Sequence, residues 1–130
     1  MNGDQAAIRE LIARYALSLD AGDIDQCVEL FAEDSEFLVY GKSFAGRQGI
    51  GGMFREAPHG LHLTGVSRID VDGDTATARS QVLFVRAGSL QLRPALYDDE
   101  LVRDGGYWRF RRRRCRFVTI HGLSDTPEVP

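Results

Sequence analysis

His62-Leu63-Thr64-Gly65-Val66-Ser67-Arg68-Ile69-Asp70-Val71-Asp72-Gly73-Asp74 reads as a β-strand that starts at a histidine and runs into a tight turn. Apolar and polar side chains alternate from Val66 to Asp72, which gives the strand one dry face and one wet face. Asp72-Gly73 suits a two-residue hairpin turn, whose central residues need positive φ. The segment 75–85 then runs back as a second strand. His62 therefore stands at the far end of a β-ribbon, a rigid place from which to aim an imidazole.

Upstream of this ribbon the period changes from two to 3.6. Asp4 is placed to cap a helix in which Ala7, Ile8, Leu11, Ile12, Tyr15, Ala16 and Leu19 form one apolar stripe. Asp20-Ala21-Gly22-Asp23 breaks it, with Gly22 ending the helix and Asp23 capping a second that carries Ile24, Cys27, Val28 and Phe31. A short strand covers 36–40. The segment 41–60 holds six glycines, around a short helix predicted at 50–55 with Met53 and Phe54 as core contacts. It reads either as a flap over a pocket or as an ordinary connection. Downstream, 91–102 and 107–120 are strands joined by the Asp104-Gly105-Gly106 turn, and Pro94 confines the start of the first to an edge or bulge. The pattern predicts an α+β domain: about three N-terminal helices packed on a curved antiparallel sheet, forming a cone that encloses an apolar pocket.

The totals bound the partners. At 130 residues the chain makes one domain, 1–130, with its core over about 4–121 and a loosely held tail at 122–130. A net charge of -3 argues against general nucleic-acid binding. Cys27 and Cys115 lie far apart and read as two reduced thiols. The absence of a leader pattern or a membrane-length apolar run predicts a cytoplasmic protein that does not enter membranes. The three histidines lack metal-ligand spacing, the glycines of 46–52 do not form a phosphate loop, and there is no Gly-x-Ser-x-Gly elbow.

The groups left to do chemistry are few. Tyr15 belongs to the buried stripe, and its hydroxyl needs a partner. Asp20 closes the same helix and can reach the pocket from its rim, or it can simply end the helix. A carboxylate bonded to one nitrogen of His62 would fix the tautomer, raise the imidazole pKa and leave the other nitrogen as a base. His59 reads as solvated and His121 as a weak candidate. Residues 109–116 hold six arginines. A strand alternates its side chains, so at least one of them should point inward and need an anion. Cross-strand pairing with Asp98, Asp99 and Glu100 and anchoring of a substrate are both open readings.

Together these pieces resemble the SnoaL-like group of the nuclear-transport-factor-2-like superfamily, which has a cystatin-like α+β cone. The resemblance rests on Ala7-Ile8 through Tyr15-Ala16, Leu19-Asp20-Ala21-Gly22-Asp23, Leu30-Phe31-Ala32-Glu33-Asp34, Gly46-Arg47 with Ile50, His62, Asp72-Gly73-Asp74-Thr75-Ala76, Tyr97-Asp98-Asp99-Glu100 and Gly106-Tyr107-Trp108-Arg109-Phe110. It implies a cofactor-independent lyase or isomerase, of dehydratase or cyclase type, acting on a small hydrophobic ring or polyketide-like compound through an Asp–His general base. Tyr15, Asp20 and His62 fall on the dehydratase-like positions. The last-strand arginine falls on Arg113, with Arg112 or Arg114 as substitutes if a bulge intervenes. Where many relatives carry Asn four residues after the histidine, this chain has Val66, which predicts a missing polar contact in the pocket. The alternatives are a non-catalytic ligand-binding protein and an epoxide hydrolase built on Asp98 or Asp99 with Arg113. The resemblance also implies a homodimer or homotrimer.

Overall fold

A computed structural model describes residues 2–128. Helix α1 (Asn2–Asp20) is followed by α2 (Ile24–Glu29), a hairpin of β1 (Phe31–Val39) and β2 (Lys42–Ala45), and α3 (Gly46–Glu56). Four long strands follow: β3 (Gly60–Asp72), β4 (Thr75–Arg86), β5 (Leu92–Asp104) and β6 (Tyr107–Thr119). A short β7 (Gly122–Ser124) ends the order. The strands form one curved, open sheet in the order β2-β1-β6-β5-β4-β3, with β7 on β6. The helices cover its inner face, as the sequence predicts for an α+β cone. One pairing departs from the antiparallel expectation: β1 runs parallel to β6, because the chain leaves β1 and β2 through α3 and returns to β1 only after three more strands. Among the described residues no helix is long and apolar enough to cross a membrane.

Several local expectations are corrected. Asp4 lies inside α1, and its carboxylate accepts hydrogen bonds from Trp108 Nε1 and Arg103 across the fold. Asp23 makes no side-chain cap for α2. Asp72 pairs with Thr75, so the turn residues are Gly73 and Asp74. Gly73 alone of the two has positive φ, which is the type II′ pattern. Strand β1 starts at Phe31, earlier than predicted, and turns into β2 through Tyr40 and Gly41, both at positive φ. That type I′ turn is masked in the sequence by a tyrosine where Asn or Gly is usual. Helix α3 is longer than predicted in spite of its glycines, because Ile50 and Phe54 are fully or almost fully buried and burial outweighs propensity. The segment is thus neither a flap nor a bare connection; it is a wall of the core. Residues 122–124, expected in a loose tail, pair with β6.

Bulges decide which side chains face inward. In β6 the register slips by one residue after Phe110, so Arg111 is extra. Trp108 and Phe110 face the core before the slip, and Arg113, Cys115 and Phe117 face it afterwards. In β3 a slip between Thr64 and Ser67 lets both His62 and Ile69 face inward. A strict two-residue alternation would have opposed them. Val66 sits in that bulge, 70% exposed, so the pocket contact predicted to be missing there does not concern the cavity. Pro94 lies on β5 beyond its last partner on β6, where no ladder bond is asked of its nitrogen on that side.

Candidate active site

The site begins with how α1 ends. Gly22, at φ 80°, donates its N–H to the Leu19 carbonyl, and the Asp23 N–H reaches the Ser18 carbonyl at 2.8 Å. This Schellman motif stops the helix at a fixed place and leaves Asp20 in its last turn. A carboxylate there opposes the helix dipole, so it needs donors from elsewhere, and β3 supplies both. The His62 backbone N–H donates to Asp20 Oδ2 at 2.7 Å, and the ring Nδ1 lies 2.6 Å from Oδ1. A carboxylate only accepts hydrogen bonds, so Nδ1 carries the proton and Nε2 is left with its lone pair. Nε2 has no protein partner among the described residues.

The two members of the pair are 14% and 13% exposed and sit on the wall of a cavity between the helices and the inner sheet face. Tyr15, Phe37, Phe54, Phe84, Tyr97 and Phe117 make most of the lining, with Leu19, Met53, Val82, Ala95 and Cys115 between them. Asp20, His59, His62 and Arg93 add the charged or titratable groups. The Phe84 ring lies 4.7 Å from the imidazole and the Tyr15 ring 6.2 Å from it. Gly60, at the start of β3, allows this packing. A Cβ there would stand 2.2 Å from the Val85 carbonyl and 2.7 Å from the Phe84 ring.

Burial lowers the pKa of His62 below the ordinary imidazole value. The bond and charge of Asp20 pull upward, and the charge of Arg113 pulls slightly further down. The sequence reading expects Asp20 to dominate; the apolar cavity reverses the net sign. The ring is therefore neutral near pH 7 and available as a base. Burial also raises the pKa of the Tyr15 phenol, which keeps it a hydrogen-bond donor. No hydrogen bond of its hydroxyl to another described residue is present.

Arg113 is the inward arginine of β6 and is 1% exposed. It does not stand on the cavity wall. Its Nη1 donates to Asp99 Oδ2 at 3.0 Å, and its guanidinium packs 4.3 to 4.6 Å from the ring centroids of Tyr15, Tyr97 and Phe110. Its charge reaches the cavity only across Tyr15 and Tyr97. Asp99 is fully buried, and burial outweighs Arg113 and pushes its pKa up to about 6. Two of the other arginines of this strand pair across neighbouring strands, Arg112 with Glu36 and Glu100 and Arg116 with Asp98, while Arg114 pairs with Asp125 just past β7, and Arg109 and Arg111 lie within 4.0 Å of Asp104 and Asp34. Asp98 faces outward and also binds Arg79. The cavity thus brings Tyr15, Asp20 and His62 together and leaves Arg113 one layer behind them. Asp98 and Asp99, the carboxylates an epoxide hydrolase would need, are both away from the cavity wall. The thiols of Cys27 and Cys115 are free and buried, and burial raises each to about 11. Among the described residues no cluster of three or more His, Cys, Asp or Glu side chains is gathered for a metal ion. Phe84, Tyr97 and Arg93 are wall residues that the sequence analysis does not single out; the parity of β4 and β5 is the signal that finds them, since Phe84 shares the face of Val82, and Arg93 and Tyr97 share that of Ala95.

A curved sheet closed by three helices, with an Asp–His pair on the wall of an aromatic cavity, defines a class of small-molecule-binding α+β cones. The chain belongs to the SnoaL-like domain family, whose family model matches residues 3–114. It is similar to a protein of unknown function from Mycobacterium tuberculosis, at 30% identity and a TM-score of 0.81 over 88% of this chain and 71% of that one. An NTF2-like protein with a cystatin-like fold from Novosphingobium aromaticivorans is 32% identical, with a TM-score of 0.79 over 87% of this chain and 80% of the other. A hexachlorocyclohexane dehydrochlorinase from Novosphingobium barchaimii shares the fold at 22% identity, with a TM-score of 0.79 over 98% and 95% of the two chains. No match was found among curated proteins.

Proposed function

We propose that the protein is a lyase or isomerase that removes a proton next to a carbonyl group in a small hydrophobic ring or polyketide-like compound. The observation that carries this reading is the double engagement of Asp20 with His62 at 2.7 and 2.6 Å, which orients a neutral imidazole at an apolar wall. His62 Nε2 takes the proton. The electron pair of the broken C–H bond moves toward the carbonyl, and Asp20 stabilises the imidazolium that results. Tyr15 donates a hydrogen bond to the developing oxyanion or to a departing hydroxyl. In an elimination the proton on Nε2 leaves with that hydroxyl as water; in an isomerisation it returns to a different carbon. Arg113 acts from behind, through the rings of Tyr15 and Tyr97. The base and the donor are both supplied by the chain, so the reaction as written calls for no cofactor.

A non-catalytic ligand-binding member of the fold would need no hydrogen bond between Asp20 and His62, and the bonded pair favours the enzyme. The dehydrochlorinase that shares the fold performs an elimination, but at its level of identity the likeness speaks for the scaffold alone. The test is a panel of cyclic ketones and β-hydroxy ketones incubated with the protein in D2O and followed by proton NMR. Deuterium enters the position next to the carbonyl, or an alkene signal appears, at a rate above that with buffer alone. A panel in which every member binds but none exchanges or eliminates would overturn the reading in favour of a binding protein.

A further inference from the structure

Arg93 is a charged group on the cavity wall with no role in the chemistry above. Strand β5 directs Ala95 and Tyr97 into the cavity, and the two-residue period turns Arg93 the same way. Its position follows from the register: His62 pairs with Phe84 on β4, and Phe84 pairs with Arg93 on β5. Three neighbouring strands therefore present an imidazole, a phenyl ring and a guanidinium in one row. With strands about 4.8 Å apart, the backbones of His62 and Arg93 are on the order of 10 Å from each other.

Place and partners together set this arginine apart. Arg79, Arg103, Arg112, Arg113, Arg114 and Arg116 each have a carboxylate within 4.0 Å; Arg68 and Arg86 have none among the described residues, but both are exposed and off the cavity wall. Among the described residues Arg93 has none; its Nη1 donates to the Glu128 carbonyl at 3.5 Å, the outer limit of a hydrogen bond. A partly buried guanidinium facing an apolar cavity calls for an anion. The planar fork of Arg matches a carboxylate through two parallel bonds. The carboxylate of Asp20, beside His62, repels a second anion at that end of the row.

We propose that Arg93 is a specificity-determining residue that binds a carboxylate of the substrate. The substrate is then an acidic ring compound whose apolar body lies on Phe84 and Tyr97 and whose reacting carbon meets His62. This assignment rests on the cavity being the substrate site. The test uses 2-naphthoate and its uncharged analogue naphthalene-2-carboxamide, with binding followed by calorimetry in wild type, Arg93→Gln and Arg93→Lys. Wild type binds the naphthoate about 10-fold or more tightly than the amide. Arg93→Gln loses that preference with the amide affinity unchanged, and Arg93→Lys keeps part of it. Wild type with no preference, no naphthoate binding by wild type, or equal naphthoate affinity in Arg93→Gln and wild type would overturn the proposal. The comparison of the two ligands in wild type needs no variant to fold. Proton transfer is judged separately, so a protein that binds naphthoate through Arg93 but exchanges no protons leaves this inference standing and removes the catalytic reading.

Discussion

Replacing His62 with alanine is expected to lower turnover of any exchanging or eliminating substrate by a factor on the order of 10²–10⁴, the usual contribution of a positioned general base. The fold should survive, for a structural reason. Asp20 is bonded both to the imidazole and to the backbone N–H at position 62, and the second bond does not depend on the side chain. Asp20 is therefore not left without a donor, and the cost to stability is on the order of 1–2 kcal/mol. His62 is also on an edge strand, since among the described residues β3 has β4 as its neighbour and no strand beyond it. Circular dichroism and a denaturant titration measure stability; NMR exchange in D2O measures turnover. Full activity in this variant would refute the mechanism.

The largest effect on stability is expected from Arg113→Met. The substitution keeps an apolar stem of similar length but removes the charge that faces Asp99, which is 3% exposed. Breaking a buried pair from one side costs about 3–5 kcal/mol, because the remaining charge has neither water nor partner. Two further groups sharpen the expectation: Asp99 Oδ1 and Arg113 Nε have no hydrogen-bond partner among the described residues, so the pair has little in reserve. The deficit should depend on pH. The raised pKa of Asp99 means that its protonated form is favoured in the fold. The associated stability is fully present below the unfolded value near 3.8 and is lost as pH rises through about 6. Without Arg113 the carboxyl is driven further toward its neutral form, so the variant's deficit is smaller at pH 5 than at pH 8. Urea unfolding at both pH values reads this directly. A pH-independent deficit would mean that the loss comes from packing against Tyr15, Tyr97 and Phe110 and not from the stranded charge.

Much of this architecture is legible in the amino-acid sequence because it rests on periodicity and turn chemistry. The stripe from Ile8 to Tyr15 and the break at Gly22 locate α1 and put Asp20 at its end. The alternation from Val66 to Asp72 locates β3. From alternation alone the inward arginine is legible only in kind, and it is the family resemblance that points to Arg113. Alternation requires one, but the bulge at Arg111 selects Arg113, and a one-residue insertion leaves no mark in a run of arginines. The Tyr40-Gly41 turn is hidden for a similar reason: its geometry is dictated by the pairing of Val39 with Lys42, and the residue type does not announce it. The sign of the pKa shift at His62 is beyond sequence reading, because it is set by how many apolar rings close over the imidazole. Arg93 is half legible: the parity of β5 puts it on the cavity face, but that it has no carboxylate beside it among the described residues is a property of the fold.

The central claim is that Asp20 and His62 act as one unit on the cavity wall, and the most direct measurement is the pH titration of the His62 ring by NMR in wild type and Asp20→Asn. The account predicts a pKa below the ordinary imidazole value in wild type, with burial as the cause, and a still lower value in the variant, because the carboxylate that favours the imidazolium is gone. The Nδ1 proton should also be shifted strongly downfield in wild type and lose that shift in the variant. Identical titrations in the two proteins, or a rise in the variant, would contradict the account: the carboxylate would then not be coupled to the ring, and the cavity would have no oriented base.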